Sequence, residues 1–128
     1  RGIENWYGQI YNFIDGVNVN EYVYYVNNNP ATFADDVFTG DYINTGITSV
    51  TANGYVKNLV ASGKGFVASN TWGGSDSTFV PDYFSTSTVA RIMYFGGHAN
   101  FGMFTGGFCL LTDAASYSSV RLGSGLSF

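Results

Sequence analysis

Apolar residues in this chain never recur at helical spacing through three turns; they come in short alternating runs, each closed within a few residues by Gly, Asn, Asp or Pro. A chain punctuated this closely has to be assembled from short strands joined by loops. "VNVNEYVYYV" sets Val17, Val19, Tyr22, Tyr24 and Val26 against Asn18 and Asn20, which predicts a strand with one buried face. "WYGQIYNFI" carries Trp6, Tyr11 and Phe13 at strand spacing and ends at Asp15-Gly16, so the two runs predict a hairpin turning at that dipeptide. In "VARIMYF" both alternating sets, Val89, Arg91, Met93, Phe95 and Ala90, Ile92, Tyr94, carry bulk, which predicts a central strand. "GYVKNLV" reads as a short strand or one helical turn. The stretch from Ala68 to Phe84 reads as a long loop anchored by Trp72, Phe79, Tyr83 and Phe84.

With 128 residues, no linker-like segment and no internal repeat, the expectation is one domain over residues 1–128. Arg1 follows neither an initiator Met nor a signal-like region, so the chain reads as the C-terminal part of a longer protein. Its apolar runs fall well short of the roughly 18 residues needed to span a bilayer, which argues against membrane insertion. A net charge of −4 with scattered Lys and Arg offers no cationic stripe for phosphates, and nucleic acid is not an expected partner. The single Cys109 can close no internal disulfide and reads first as a small hydrophobe in a strand.

The stretch "GGHANFGMFTGGFCLL", Gly96 to Leu111, threads bulky apolar residues through pliant backbone. Glycine loses the most conformational freedom on folding, so a packed core would prefer stiffer surroundings. Phe101, Met103 and Phe104 are therefore expected to be exposed. The glycines match neither a dinucleotide fingerprint nor a Walker loop. His98, the sole histidine, has no Ser in a nucleophile-elbow pattern to partner it. Asp35, Asp36 and Asp41 lack the ligand order of a helix-loop-helix calcium site and read as solvated loop carboxylates. Glu4, Asp15 and Glu21 have no sequence-defined separation that would make a glycosidase pair. Neither a cofactor nor a metal is expected, and no enzyme activity.

Several segments share a resemblance. "YGQIYNFIDG" resembles the GNVWEWxxD element of the formylglycine-generating-enzyme branch of C-type lectin-like folds. "GYVKNLV", "GGSDSTFVPDYF" and "ARIMYFGGHANFG…GGF…GSGLSF" resemble the C-terminal domains of phage tail and receptor-binding proteins, among them variable proteins diversified by retroelements. The resemblance covers nearly the whole chain. It implies an α+β, predominantly β, C-type lectin-like fold with short strands and long irregular loops. It makes Arg91, Gly96, Gly97, Gly102, Gly106, Phe108, Ser118, Gly123, Leu126 and Phe128 framework. By the same motif, His98, Asn100, Phe101, Met103, Phe104, Thr105, Cys109, Leu111, Asp113, Tyr117 and Arg121 would form the ligand-facing surface.

The departures narrow what is implied. "GGHA" stands where the family usually has GGSW, and "GSGLSF" lacks the arginine of the frequent GxRLxF ending. The enzyme branch needs two cysteines, and the calcium motifs of sugar-binding lectins (EPN or QPD with WND) do not occur. The implied function is a non-catalytic receptor-binding domain of a phage tail fibre or virion adhesin. It would recognise a bacterial surface protein or glycan beside other tail proteins, as a homo-oligomer, a trimer by resemblance. The alternatives are a cell-surface or pilus-tip adhesin of the same fold and a structural virion decoration domain.

Overall fold

Strand β1 (Tyr11–Asn20) runs straight through Asp15-Gly16, so that dipeptide is not the hairpin turn the sequence predicts. The turn falls later, at Glu21-Tyr22, and β2 (Val23–Val26) returns with Val19 opposite Tyr24 and Asn20 opposite Val23. Both turn residues have positive φ, 48° and 68°, the geometry of a type I′ turn whose twist matches that of the flanking strands. Asp15-Gly16 instead lies in a bulge: Ile14 pairs with Met93 but Asn18 with the very next residue, Ile92. Gly16 is needed there, with φ of 77° and the Phe33 ring and Asn27 carbonyl against the position a Cβ would take.

The computed structural model describes residues 11–63, 65–78, 80, 82–104, 106, 109–116 and 122–123. Its remaining strands are β3 (Ile43–Thr48), β4 (Gly54–Tyr55), β5 (Asn58–Ser62), β6 (Gly65–Asn70), β7 (Tyr83–Phe84), β8 (Arg91–Phe95), β9 (Leu110–Asp113) and β10 (Leu122–Gly123). The large sheet has the order β3-β2-β1-β8-β9-β7-β4, with β10 parallel to the start of β1, while β5 and β6 form a separate hairpin. β8 is central between β1 and β9, and Ile92, Met93 and Tyr94 are all buried, as its two bulky faces predict. "GYVKNLV" resolves into the strands β4 and β5. Among the described residues there is no α-helix, only 3₁₀ segments at Pro30–Thr32 and Ala99–Phe104, so this part of the chain is mostly β.

Two apolar cores lie on opposite faces of the sheet. One gathers Val19, Tyr24, Ile47, Val56, Val67, Ala68, Phe84 and Met93 and includes residues of the β5–β6 hairpin. The other gathers Tyr11, Tyr94, Cys109 and Leu111 with Phe13 and Tyr83 against them. The bulge in β1 makes this division possible. Ile14 packs with the first core, and so do Val17 and Val19, whose odd numbers would otherwise put them with Tyr11 and Phe13 on the second face.

The connection from β2 to β3 combines side-chain hydrogen bonds with ring packing, Phe38 lying edge-on to Tyr25 at 5.2 Å and the Phe33 ring lying against Gly16. Buried Asn18 donates from Nδ2 to the carbonyls of Ala34 and Val37, both at 2.9 Å. Buried Asn27 donates to Thr32, and Asn29 Oδ1 accepts from the Ala31 amide to cap the 3₁₀ turn at Pro30. The Tyr42 hydroxyl donates to the Ala34 carbonyl at 2.6 Å and accepts from its amide at 2.8 Å.

Candidate functional site

The glycine-rich stretch is a loop closed at its base by the Gly96 amide donating to the Cys109 carbonyl at 3.0 Å. Gly96 and Gly97, with φ of 95° and 65°, turn the chain out of β8, and Gly102 at 56° breaks the 3₁₀ segment Ala99–Phe104 in its middle. Gly106 is buried against the Asp82 carboxylate, where any side chain would collide. The Cys109 amide then donates to the Gly106 carbonyl and the chain enters β9.

Of the residues expected to face a ligand, Asn100 and Phe104 are exposed. His98 is buried, its ring edge-on to Tyr11 at 5.0 Å, and its Nδ1 accepts from the Asn100 amide at 3.2 Å, which places the proton of a neutral ring on Nε2. Cys109 is fully buried and Leu111 nearly so, both within the second core, so neither presents a surface to a ligand. Cys109 immediately precedes β9, and alternation from it puts Leu111, two residues on, in the same core as Tyr11 and Tyr94. Asp113 is half-buried and tied to its own fold, accepting from the Tyr94 hydroxyl at 3.3 Å and the Ala114 amide at 2.8 Å, with Arg91 at 3.9 Å. The side chains of Phe101 and Met103, and Thr105, Tyr117 and Arg121, lie outside the described residues, as do Phe79 and the framework residues Phe108, Ser118, Leu126 and Phe128.

Phe104 is not isolated. Its ring stacks on Tyr55 at 5.5 Å and 20° and meets Tyr83 edge-on at 5.2 Å, while Tyr55 and Tyr83 meet edge-on at 5.8 Å. The pairing of β4 with β7 sets Tyr55 opposite Tyr83, and the glycine loop lowers Phe104 onto them. Phe104 keeps 37% of its surface exposed. Partial desolvation, then the nearby Asp76 carboxylate and Tyr83, push the Tyr55 phenol above its ordinary value. The Asp76 segment also packs on β4: Gly74 touches the Tyr55 carbonyl, and Thr78 Oγ1 donates to the Val56 carbonyl at 3.3 Å.

Trp72, in this same loop, is 72% exposed, contrary to the expectation that it anchors the segment. Its flanks explain the error. Asn70 Oδ1 accepts from the Trp72 amide at 2.8 Å and Gly73 has φ of 76°, so the turn projects the indole outward. Like Phe104, Trp72 in "NTWGGS" is an aromatic set among Gly and polar residues, the local composition that marks an exposed ring. No comparable local signal marks Tyr55, whose place in the cluster depends on the partner strand.

Burial and the nearby Asp82 carboxylate push the Cys109 thiol up to about 12, against which a hydrogen bond from the Tyr83 backbone acts only in part. At neutral pH this sulfur stays protonated and is a packing group rather than a nucleophile. Asp41 accepts from Thr32 Oγ1 at 2.6 Å and Asn29 Nδ2 at 3.1 Å, which holds its carboxyl below the ordinary value and ties it into the loop. Among the described residues no three of His, Cys, Asp and Glu stand close enough to share a metal ion, and no helix is long and apolar enough to cross a membrane. No protein-family model, curated protein or solved structure compared with the chain matches it.

Proposed function

We propose that this chain is a ligand-binding domain of C-type lectin-like fold, carried by a phage tail fibre or related virion adhesin, that attaches to a bacterial surface protein or glycan without catalysis. The observation that carries the reading is the three-ring cluster of Tyr55, Tyr83 and Phe104, part-exposed at the glycine loop, with Trp72 exposed on the loop that packs against β4. Aromatic rings offer large contact area with few rotors to immobilise, which keeps the ordering cost of binding low. Mutual packing holds these rings in place before any ligand arrives. The loop carrying Phe104 is the one the sequence resemblance makes ligand-facing, and its glycines take the turn geometries a framework role asks for. Assembly as a homotrimer beside other tail proteins would raise a weak single-site affinity through multivalency.

The test compares cell attachment with folding. A fluorescent fusion of the full-length protein should label susceptible cells in a bacterial panel. Replacing Tyr55, Trp72 and Phe104 together by Ser should weaken that labelling by about 100-fold or more, since central aromatic anchors each contribute roughly 2 kcal/mol or more to an interface. The melting temperature should move by only a few degrees. Unfolding of the triple variant would assign the rings to the scaffold and favour the decoration-domain reading. Unchanged labelling by a folded variant would move the binding face elsewhere.

A further inference from the structure

The sheet strands that carry the ring cluster also wall a second feature on their opposite face. Tyr55 and Tyr83 point to the cluster, while their chain neighbours Val56 and Phe84 line a partly enclosed hollow of about 160 Å³ beneath the β5–β6 hairpin. Its deep side chains, Val56, Val67, Ala68 and Phe84, are all buried, and its outer ones, Leu59 and Phe66, are 46% and 50% exposed. Every described lining residue is aliphatic or aromatic.

A hollow with these walls offers water no hydrogen-bond partners, so it holds water poorly, and one left empty forfeits the dispersion contacts of its lining. A charged or hydrogen-bonding group would lose its hydration on entering and recover nothing. What the walls do reward is apolar surface. A cavity of about 150 Å³ lined by similar residues is large enough to take benzene. We propose that this hollow is a binding site for one small neutral hydrophobic molecule of about the size of a single aromatic ring, entering between Leu59 and Phe66. It is separate from the ring cluster, and the two sites face opposite sides of the same strands.

The site is tested with toluene as probe on protein carrying ¹³C-labelled Val and Leu methyl groups. Toluene should shift the Val56, Leu59 and Val67 methyl resonances saturably. Benzoate, the same ring bearing a charge, should leave them in place at equal concentration. Ala68→Leu, which fills the hollow from a buried wall, should weaken toluene binding at least tenfold while the protein stays folded. If Ala68→Leu does not fold, Val67→Ile makes the same test with a smaller change. Absence of a saturable toluene shift, an equal response to benzoate, or undiminished binding in a folded filled variant would each overturn the proposal.

Discussion

At the scale of single residues, burial sets the chemistry of the groups it encloses. Cys109 illustrates it: the one thiol of the chain lies at 0% exposure beside Asp82. In the native protein it should react with a disulfide reagent on the order of 100-fold slower than a free thiol, and at the normal rate once unfolded. Its raised value also sets a pH dependence. The neutral thiol is favoured in the folded state, so stability is fully present below the ordinary thiol value of 9.0 and is lost as pH climbs from there towards about 12. Tyr24, whose buried hydroxyl lies by Ser49 but has no hydrogen bond of ordinary geometry among the described residues, is also shifted upward by burial and adds to the same alkaline loss. Chemical denaturation at pH 8 and pH 10.5 should show the protein weaker at the higher pH, and Cys109→Ala should shrink the difference. An equal difference in that variant would mean the thiol ionises freely in the fold.

At the scale of an element, the β1–β2 hairpin is held at a turn that its own residues resist. Positive φ suits Asn and Gly, yet Glu21 and Tyr22 occupy both central positions. The strands impose the geometry because Val19 and Tyr24, paired across the ladder, are both buried in the first core. Replacing Glu21-Tyr22 by Asn-Gly should relieve the strain and stabilise the domain by about 1 kcal/mol, the lower end of what such backbone positions cost. The melting temperature should rise by roughly 3–6 °C, read by calorimetry. A fall would show that contacts of the half-buried Tyr22 ring outweigh the backbone strain.

Across the whole molecule, two cores share one sheet, and adjacent residues serve different ones: Tyr83 packs with the second core, Phe84 with the first. This alternation couples the faces, so loss of either core should unfold both. Phe84, at 1% exposure one of the largest fully buried side chains, is the point to test. Phe84→Ala should cost about 3–5 kcal/mol, a large share of a small domain's stability. Tyrosine fluorescence and far-ultraviolet dichroism should still report one coincident transition in denaturant. Two separated transitions would mean that the cores fold independently. The same alternation places the proposed binding face and the apolar hollow back to back, so a ligand at one need not obstruct the other.

The sequence by itself determined what depends on neighbours along the chain. Alternation marked β8 as a two-faced central strand, because side-chain direction in a strand has a period of two whatever its partners are. The absence of a sustained helical period predicted no long helix, and among the described residues there is no α-helix. Tertiary structure alone decided the rest. Asp15-Gly16 suits a turn or a bulge equally, and only the pairing of β1 with β8 selects the bulge, because the extra residues must restore Val17 and Val19 to the buried face. Cys109, just before β9, and Leu111 within it sit in a motif that reads as surface, yet both pack into the core that Tyr11 and Tyr94 occupy. The ring cluster likewise joins Tyr55, Tyr83 and Phe104 from three distant segments. Such contacts are fixed by strand order and register, which require the whole sheet to be assembled before any of these side chains can meet.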